Sequence, residues 1–154
     1  MNARRALLLS GLSFLAVCRA PINLAWALDP LADDLIAAVN KTREAQHLSP
    51  VRAEASLCRA AQAHAEDLAR RGVLDHAGRD GSELGERLAA AGFRWHAAVE
   101  NLARGSEVAG EIVELWLNSS PHRRNLLRSD LDQAGVGVAL SAAGAFWVLD
   151  LARS

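Results

Sequence analysis

From residue 28 onward, apolar positions recur first at helical and then at strand spacing. Leu31, Leu35, Ile36 and Val39 form a helical stripe, entered through Asp29 as N-cap and Pro30 at the first helical position, and fading by His47. Ser49-Pro50 marks a turn. A second helix is predicted from about Ala53 to Arg71, with Leu57, Ala61, His64 and Leu68 on one face and Gly72 as its C-terminal cap. The Gly- and Asp-rich loop 75–82 leads, through Asp80 or Ser82 as cap, into a short helix marked by Leu84, Leu88 and Ala91 and ended by Gly92. Residues 99–105 read as a strand broken by Gly105. Ser106 caps a fourth helix with the stripe Val108, Ile112, Leu115 and Trp116, and Pro121 stops it near Ser119 or Ser120. Residues 134–140 and 145–152 form a hairpin across Ser141–Gly144. The last strand is apolar on both faces and therefore needs cover on both sides. The predicted fold is α+β, a three-layer α-β-α sandwich with a small antiparallel sheet.

Residues 1–27 follow a different pattern. Arg4 and Arg5 precede an apolar run from Ala6 to Val17, and Ala25-Trp26-Ala27 has the small-x-small form of a cleavage site. This is the pattern of a secretory signal peptide, cleaved after Ala27. Arg19 and Pro21 interrupt the run before it reaches the ~20 residues of a membrane span. The expectation is an exported domain, residues 28–154, periplasmic or extracellular, without a transmembrane span in its mature form. Arg4-Arg5 before leucines weakly resembles a twin-arginine signal. Leu15-Ala16-Val17-Cys18 resembles a lipoprotein box, but Val17 stands where a small residue is usual, which argues against lipid anchoring.

Charge and cysteine content narrow the function classes. Taking the three arginines of residues 1–27 from the 17 basic residues leaves 14 against 18 acidic ones, a formal charge of −4. Nucleic-acid binders carry a basic face, so the balance argues against that class. The pairs Arg70-Arg71 and Arg123-Arg124 read as solvated helix ends. Only Cys58 remains after cleavage, so no intramolecular disulfide can form, and Cys58 itself reads as a small buried apolar residue.

His47 and His96 read as surface residues, and His64 as a hydrogen-bonded core histidine. His76 begins a loop after a helix cap, Glu100 interrupts an apolar strand where an unpaired acid would be costly to bury, and His122 follows the proline. Two imidazoles and a carboxylate suit zinc or a similar divalent cation, provided the three segments converge. HExxH, Gly-x-Ser-x-Gly and CxxC patterns are absent from the sequence.

At these residues the chain resembles a known family. His76 in LDHAGRDGS, Glu86-Arg87-Leu88 before Ala91-Gly92-Phe93, Glu100-Asn101-Leu102-Ala103, and Trp116 with Ser120-Pro121-His122 and Asn125 resemble, in order and spacing, the bacterial branch of the CAP superfamily. That superfamily includes cysteine-rich secretory proteins, antigen 5 and plant pathogenesis-related proteins. The resemblance covers about residues 31–152, includes the Gly135-Val136-Gly137-Val138 strand, and implies an α-β-α sandwich with a cleft lined by a His-Glu-Glu-His tetrad. The first histidine falls on His76, the first glutamate on Glu100 and the second histidine on His122. The second glutamate position is Ser119, which removes a charge favouring a dication and predicts weaker binding. Glu86 or Arg87 is the candidate to enter the cleft instead. Three functions follow as expectations: a non-enzymatic binding module for a divalent cation or a small, lipid or cell-envelope ligand; a metal-assisted hydrolase with Glu100 as general base; or an envelope or host interaction module. Ser119 and Ser120 lie near His122 in sequence but show no accompanying oxyanion donors, so the first expectation leads.

Overall fold

The computed structural model describes residues 30–154, so the expected signal peptide, the Cys18 box and the expected Asp29 cap lie outside the described residues. Five helices and four strands follow in the order α1 Pro30–Ala45, β1 Arg52–Ala53, α2 Ala55–Arg71, α3 Leu84–Ala90, β2 Ala97–Gly105, α4 Ala109–Leu117, α5 Ser120–Leu126, β3 Gln133–Ser141 and β4 Gly144–Arg153. The sheet order is β1-β3-β4-β2, leaving β2 as an edge. β3 and β4 form the expected antiparallel hairpin, and β2 runs antiparallel to β4. The sheet is mixed, because the two-residue β1 pairs parallel with β3, which hydrophobic spacing alone did not predict.

The alternation of β4 builds the three layers. Ala145, Trp147, Leu149 and Leu151 pack in the core formed with α1, α4 and α5. Phe146 and Val148 pack against Ala61, Ala65 and Leu68 of α2, and Ala152 joins Leu57, Ala60, Leu88 and Phe93 near α3. Helix α2 comes close to β3 because Gly135 and Gly137 have no side chain on its side. A Cβ at Gly135 would collide with the Leu57 carbonyl carbon, and one at Gly137 with the Ala61 carbonyl oxygen.

Several local expectations are corrected. α2 is capped by Glu54, whose carboxylate accepts from the Leu57 amide at 2.8 Å. Cys58, on the same helix, is partly rather than fully buried, and burial pushes its thiol up. α3 starts after Glu83 rather than Asp80 or Ser82, with the Glu86 side chain accepting from the Glu83 amide at 2.9 Å. Ser106 accepts from the Val108 amide, while the N-cap of α4 is Val108 itself. The buried stripe of α4 is Ala109, Ile112, Val113 and Trp116; Val108 and Leu115 are 55% and 53% exposed. Ile112 and Trp116 of the expected stripe are buried, while Val108 drops out because the helix starts after it. α4 ends at Leu117, and Pro121 begins a separate short helix rather than only stopping the previous one. Proline at an early helical position loses no intrahelical hydrogen bond, so it starts α5 as readily as it ends α4. His122 consequently sits in the first turn of α5.

The close approach of α2 to β3 makes a definite prediction. Gly137→Ala should cost roughly 1–3 kcal/mol of overpacking, since the opposing atoms are helix backbone that cannot swing away. Urea unfolding of the two proteins measures it; equal stability would mean that α2 sits farther from the sheet.

Candidate functional site

Adjacent residues of an extended strand point to opposite faces, and on the edge strand β2 this places Glu100 toward α2 and α3 and Asn101 toward α5. Glu100 is only 7% exposed, so its carboxylate needs compensation from inside the protein. Two donors provide it. His76 Nδ1 donates to Glu100 Oε1 at 2.7 Å, and an Arg87 Nη2–H donates to Glu100 Oε2 at 2.6 Å. His64 completes the group, its Nε2 lying 3.7 Å from Glu100 Oε2 and donating to the Asp75 carbonyl at 3.0 Å.

The loop carrying His76 is tied down from both ends. Arg71, expected at a solvated helix end, donates to Asp67 at 2.9 Å and to the Ala77 carbonyl at 2.8 Å. Arg87 donates to the His76 and Ser82 carbonyls at 2.8 and 2.9 Å while also holding Glu100. One guanidinium thus sets both the loop and the buried acid, which its planar fork of donors allows.

On the other face, Asn101 Nδ2 donates to the His122 carbonyl at 3.1 Å, and Asn125 Nδ2 donates to Asn101 Oδ1 at 2.8 Å. These bonds dock α5 on β2 and bring His122 to the same sheet edge as His76. His76 keeps a 65% exposed side chain, with no protein partner on Nε2 among the described residues.

The sequence-predicted residues therefore separate. His76, Glu100 and Arg87 are directly linked, and His122 is joined through its carbonyl to the neighbouring Asn101. Glu86 turns away to the Glu83 amide, and no hydrogen bond joins Ser119 to Glu100 or His76. Glu100 has both oxygens engaged, so its position is that of an acid orienting His76, not of a direct metal ligand. Among the described residues no three His, Cys, Asp or Glu side chains are grouped to hold a metal ion. Of the three expected ligands, His76 and Glu100 bond to each other, and His122 is joined to β2 through its carbonyl.

A participant missed in the sequence is Asp150. It pairs with Glu100 in the β2–β4 register, is 1% exposed, and its Oδ1 has no hydrogen-bond partner. Burial, and then the Glu100 charge, push the Asp150 carboxyl well above the usual carboxylate range, favouring a protonated acid that can donate to Glu100. The signal was present in WVLDLA: an acid inside a strand covered on both faces.

The hydrogen bond from His76 to Glu100 raises the His76 pKa above the ordinary 6.5, against the opposing effect of burial. Burial lowers that of His122, helped by the His76 charge, and burial likewise lowers that of His64. The His76 contribution to stability is full below pH 6.5 and is lost as pH rises through its raised folded value. Those of His64 and His122 are present above pH 6.5 and are lost as pH falls through their lowered values.

The fold and this site place the chain in a family. The pattern of CAP, the cysteine-rich secretory protein family, matches residues 36–151, and the chain belongs to it. A Bacillus subtilis relative, YkwD, is 30% identical over 108 residues, 70% of this chain and 41% of that protein. An extracellular protein from Bacillus anthracis containing an SCP domain superposes with a TM-score of 0.75 at 24% identity, over 80% of this chain and 40% of that one. An outer surface protein from Borrelia burgdorferi gives 0.72 at 22% identity, covering 77% of this chain and 89% of that one. At these identities the two structures share the fold. The chain spans less than half the length of YkwD and of the Bacillus anthracis protein.

An NMR titration of the histidine ring resonances tests the electrostatics. His76 should titrate above 6.5 and His122 below it, and Glu100→Gln should bring His76 down toward the ordinary value. A His76 midpoint unchanged in Glu100→Gln would contradict the 2.7 Å bond as the cause.

Proposed function

We propose that this protein is an exported, non-enzymatic binding domain whose cleft presents the His76 and His122 imidazoles to a divalent cation such as zinc, with a small ligand able to share the remaining positions. The observation that carries the reading is the His76 ring itself. Its Nδ1 is fixed on the buried Glu100 carboxylate and its side chain is 65% exposed, which leaves Nε2 for a ligand. A carboxylate holding the far nitrogen of a ligating histidine sets its tautomer and raises its basicity. In this reading Glu100 orients, Arg87 balances its charge, and His122 provides the second nitrogen. A bound cation would supply a Lewis acid that polarises a ligand oxygen.

Export is supported by the signal-like residues 1–27 and by the extracellular and outer-surface nature of the two structural relatives. Among the described residues no helix is long and apolar enough to cross a membrane. The binding reading is favoured over the metal-assisted hydrolase because Glu100, the general base that hydrolase needs, has both oxygens engaged, one by His76 and one by Arg87.

Calorimetric titration with zinc is the test. The wild type should bind, the His76→Ala/His122→Ala double variant should not, and Glu100→Gln should weaken binding by about 10–100-fold. Equal heats in wild type and double variant would reject the site. Peptide or cell-wall turnover that disappears on chelation and in Glu100→Gln would replace the binding reading with the hydrolase.

A further inference from the structure

Beyond the histidine cleft, α5 and the turn that follows it carry a feature of different chemistry. A shallow groove of about 650 Å³ there is lined by Arg123, Arg124, Arg128 and Asp130, among others. The three guanidiniums are only partly engaged. Arg123 Nε donates to the Leu117 carbonyl at 2.5 Å, which leaves both of its terminal nitrogens available. Arg124 uses one terminal nitrogen on Ser120 Oγ. Arg128 donates through Nε and Nη2 to the Asp130 carboxylate at 2.9 and 2.5 Å, leaving Nη1. Asp132, two residues further along the chain, turns to Arg52 at 3.3 Å and does not neutralise the groove.

A fourth cation lies beneath. Arg43 is fully buried, and its partners are the carbonyls of Ser49, Leu126, Arg128 and Leu131, at 2.9 to 3.1 Å. Burial lowers its pKa, yet a guanidinium stays protonated in proteins. Carbonyl dipoles solvate the charge without cancelling it. Three of these carbonyls belong to residues 126–131, the segment passing under the groove. Solvent and salt screen a buried charge less than an exposed one, and concave surfaces concentrate the resulting field. Four guanidiniums against one carboxylate stand out in a chain whose formal net charge is −1.

This excess of donors over anions selects the ligand. A carboxylate is satisfied by a single fork, as Asp130 already is by Arg128. A phosphate group offers several oxygens and more charge, and can take donors from adjacent arginines at once. A concave groove favours a soluble chain over a flat bilayer. We propose that the groove binds a soluble ligand carrying two or more linked phosphate groups, with Asp130 as the internal anion that holds Arg128 until the ligand displaces it. None of these residues belongs to the histidine cleft, so the two sites stand or fall separately.

Titration of the full mature protein with inorganic tripolyphosphate at low salt tests it, with monophosphate, polyglutamate and phosphatidylglycerol/phosphatidylcholine vesicles as comparators. Tripolyphosphate should bind best, weaken with added salt, and lose at least tenfold in Arg124→Ala/Arg128→Ala. Asp130→Asn should gain affinity several-fold, a result that misfolding cannot produce. Thermal unfolding checks that the double variant is folded. Absence of tripolyphosphate binding, an unchanged affinity in the folded double variant, weaker binding in Asp130→Asn, or polyglutamate or vesicles binding more tightly would each overturn the proposal.

Discussion

A carboxylate buried on an edge strand is the constraint around which the site is organised. Glu100 is 7% exposed, and taking an unpaired charge that far from water costs several kcal/mol. The protein therefore has to deliver cations and donors to one point from separate elements. Arg87 comes from α3 and His76 from the loop after α2, while Asp150 of β4 stands opposite Glu100 in the ladder. The next residue, Asn101, receives α5 on the opposite face. Because β2 has a neighbour on only one side, loops from both helical layers can reach around its free edge. The His76 loop and α5 are thus both tied to β2, at the adjacent residues Glu100 and Asn101, although they lie on different faces of the sheet.

Much of this architecture was legible in the apolar spacing. α1, α2 with its left-handed Gly72 cap, and the β3–β4 hairpin follow long, regular patterns, and each survives in the structure. The elements that were not legible are short or set by tertiary contact. β1 has two residues, too few for any period, and exists because its edge pairs with β3. α5 has seven, and its proline reads equally as an end or a beginning. Docking decides between them: Asn125 bonds to β2, and buried Leu126 supplies the carbonyl that Arg43 takes. The loss of Val108 from the α4 stripe has the same origin, since Val108 became the cap and left the core.

At the site, the cost of an acid inside an apolar strand singled out Glu100. The same cost applied to Asp150 would have found its partner across the ladder. Arginines were harder to place. Adjacent pairs at helix ends look alike in sequence, yet Arg71 fastens the His76 loop whereas Arg70 is exposed. Arg43 stands in the last turn of α1, where a cation ordinarily faces solvent, and is fully buried. A long side chain with a polar end can follow either course, and only the carbonyls waiting for it decide.

The charge balance around Glu100 bears on what the cleft can hold. Arg87 offsets Glu100, and burial favours the neutral form of Asp150, so these acids leave little uncompensated negative charge. The position where the family's second glutamate is expected is Ser119, which contributes none either. In the proposed site, a dication between His76 and His122 would meet nitrogen donors but little negative potential. Its affinity must come from the preset orientation of His76 rather than from charge attraction, which favours metals with a preference for imidazole over hard cations that require carboxylates. Oxygen-seeking ions such as calcium and magnesium are disfavoured on the same ground. Under the proposed function, Ser119 would bear on which ions suit the cleft as well as on how tightly they are held.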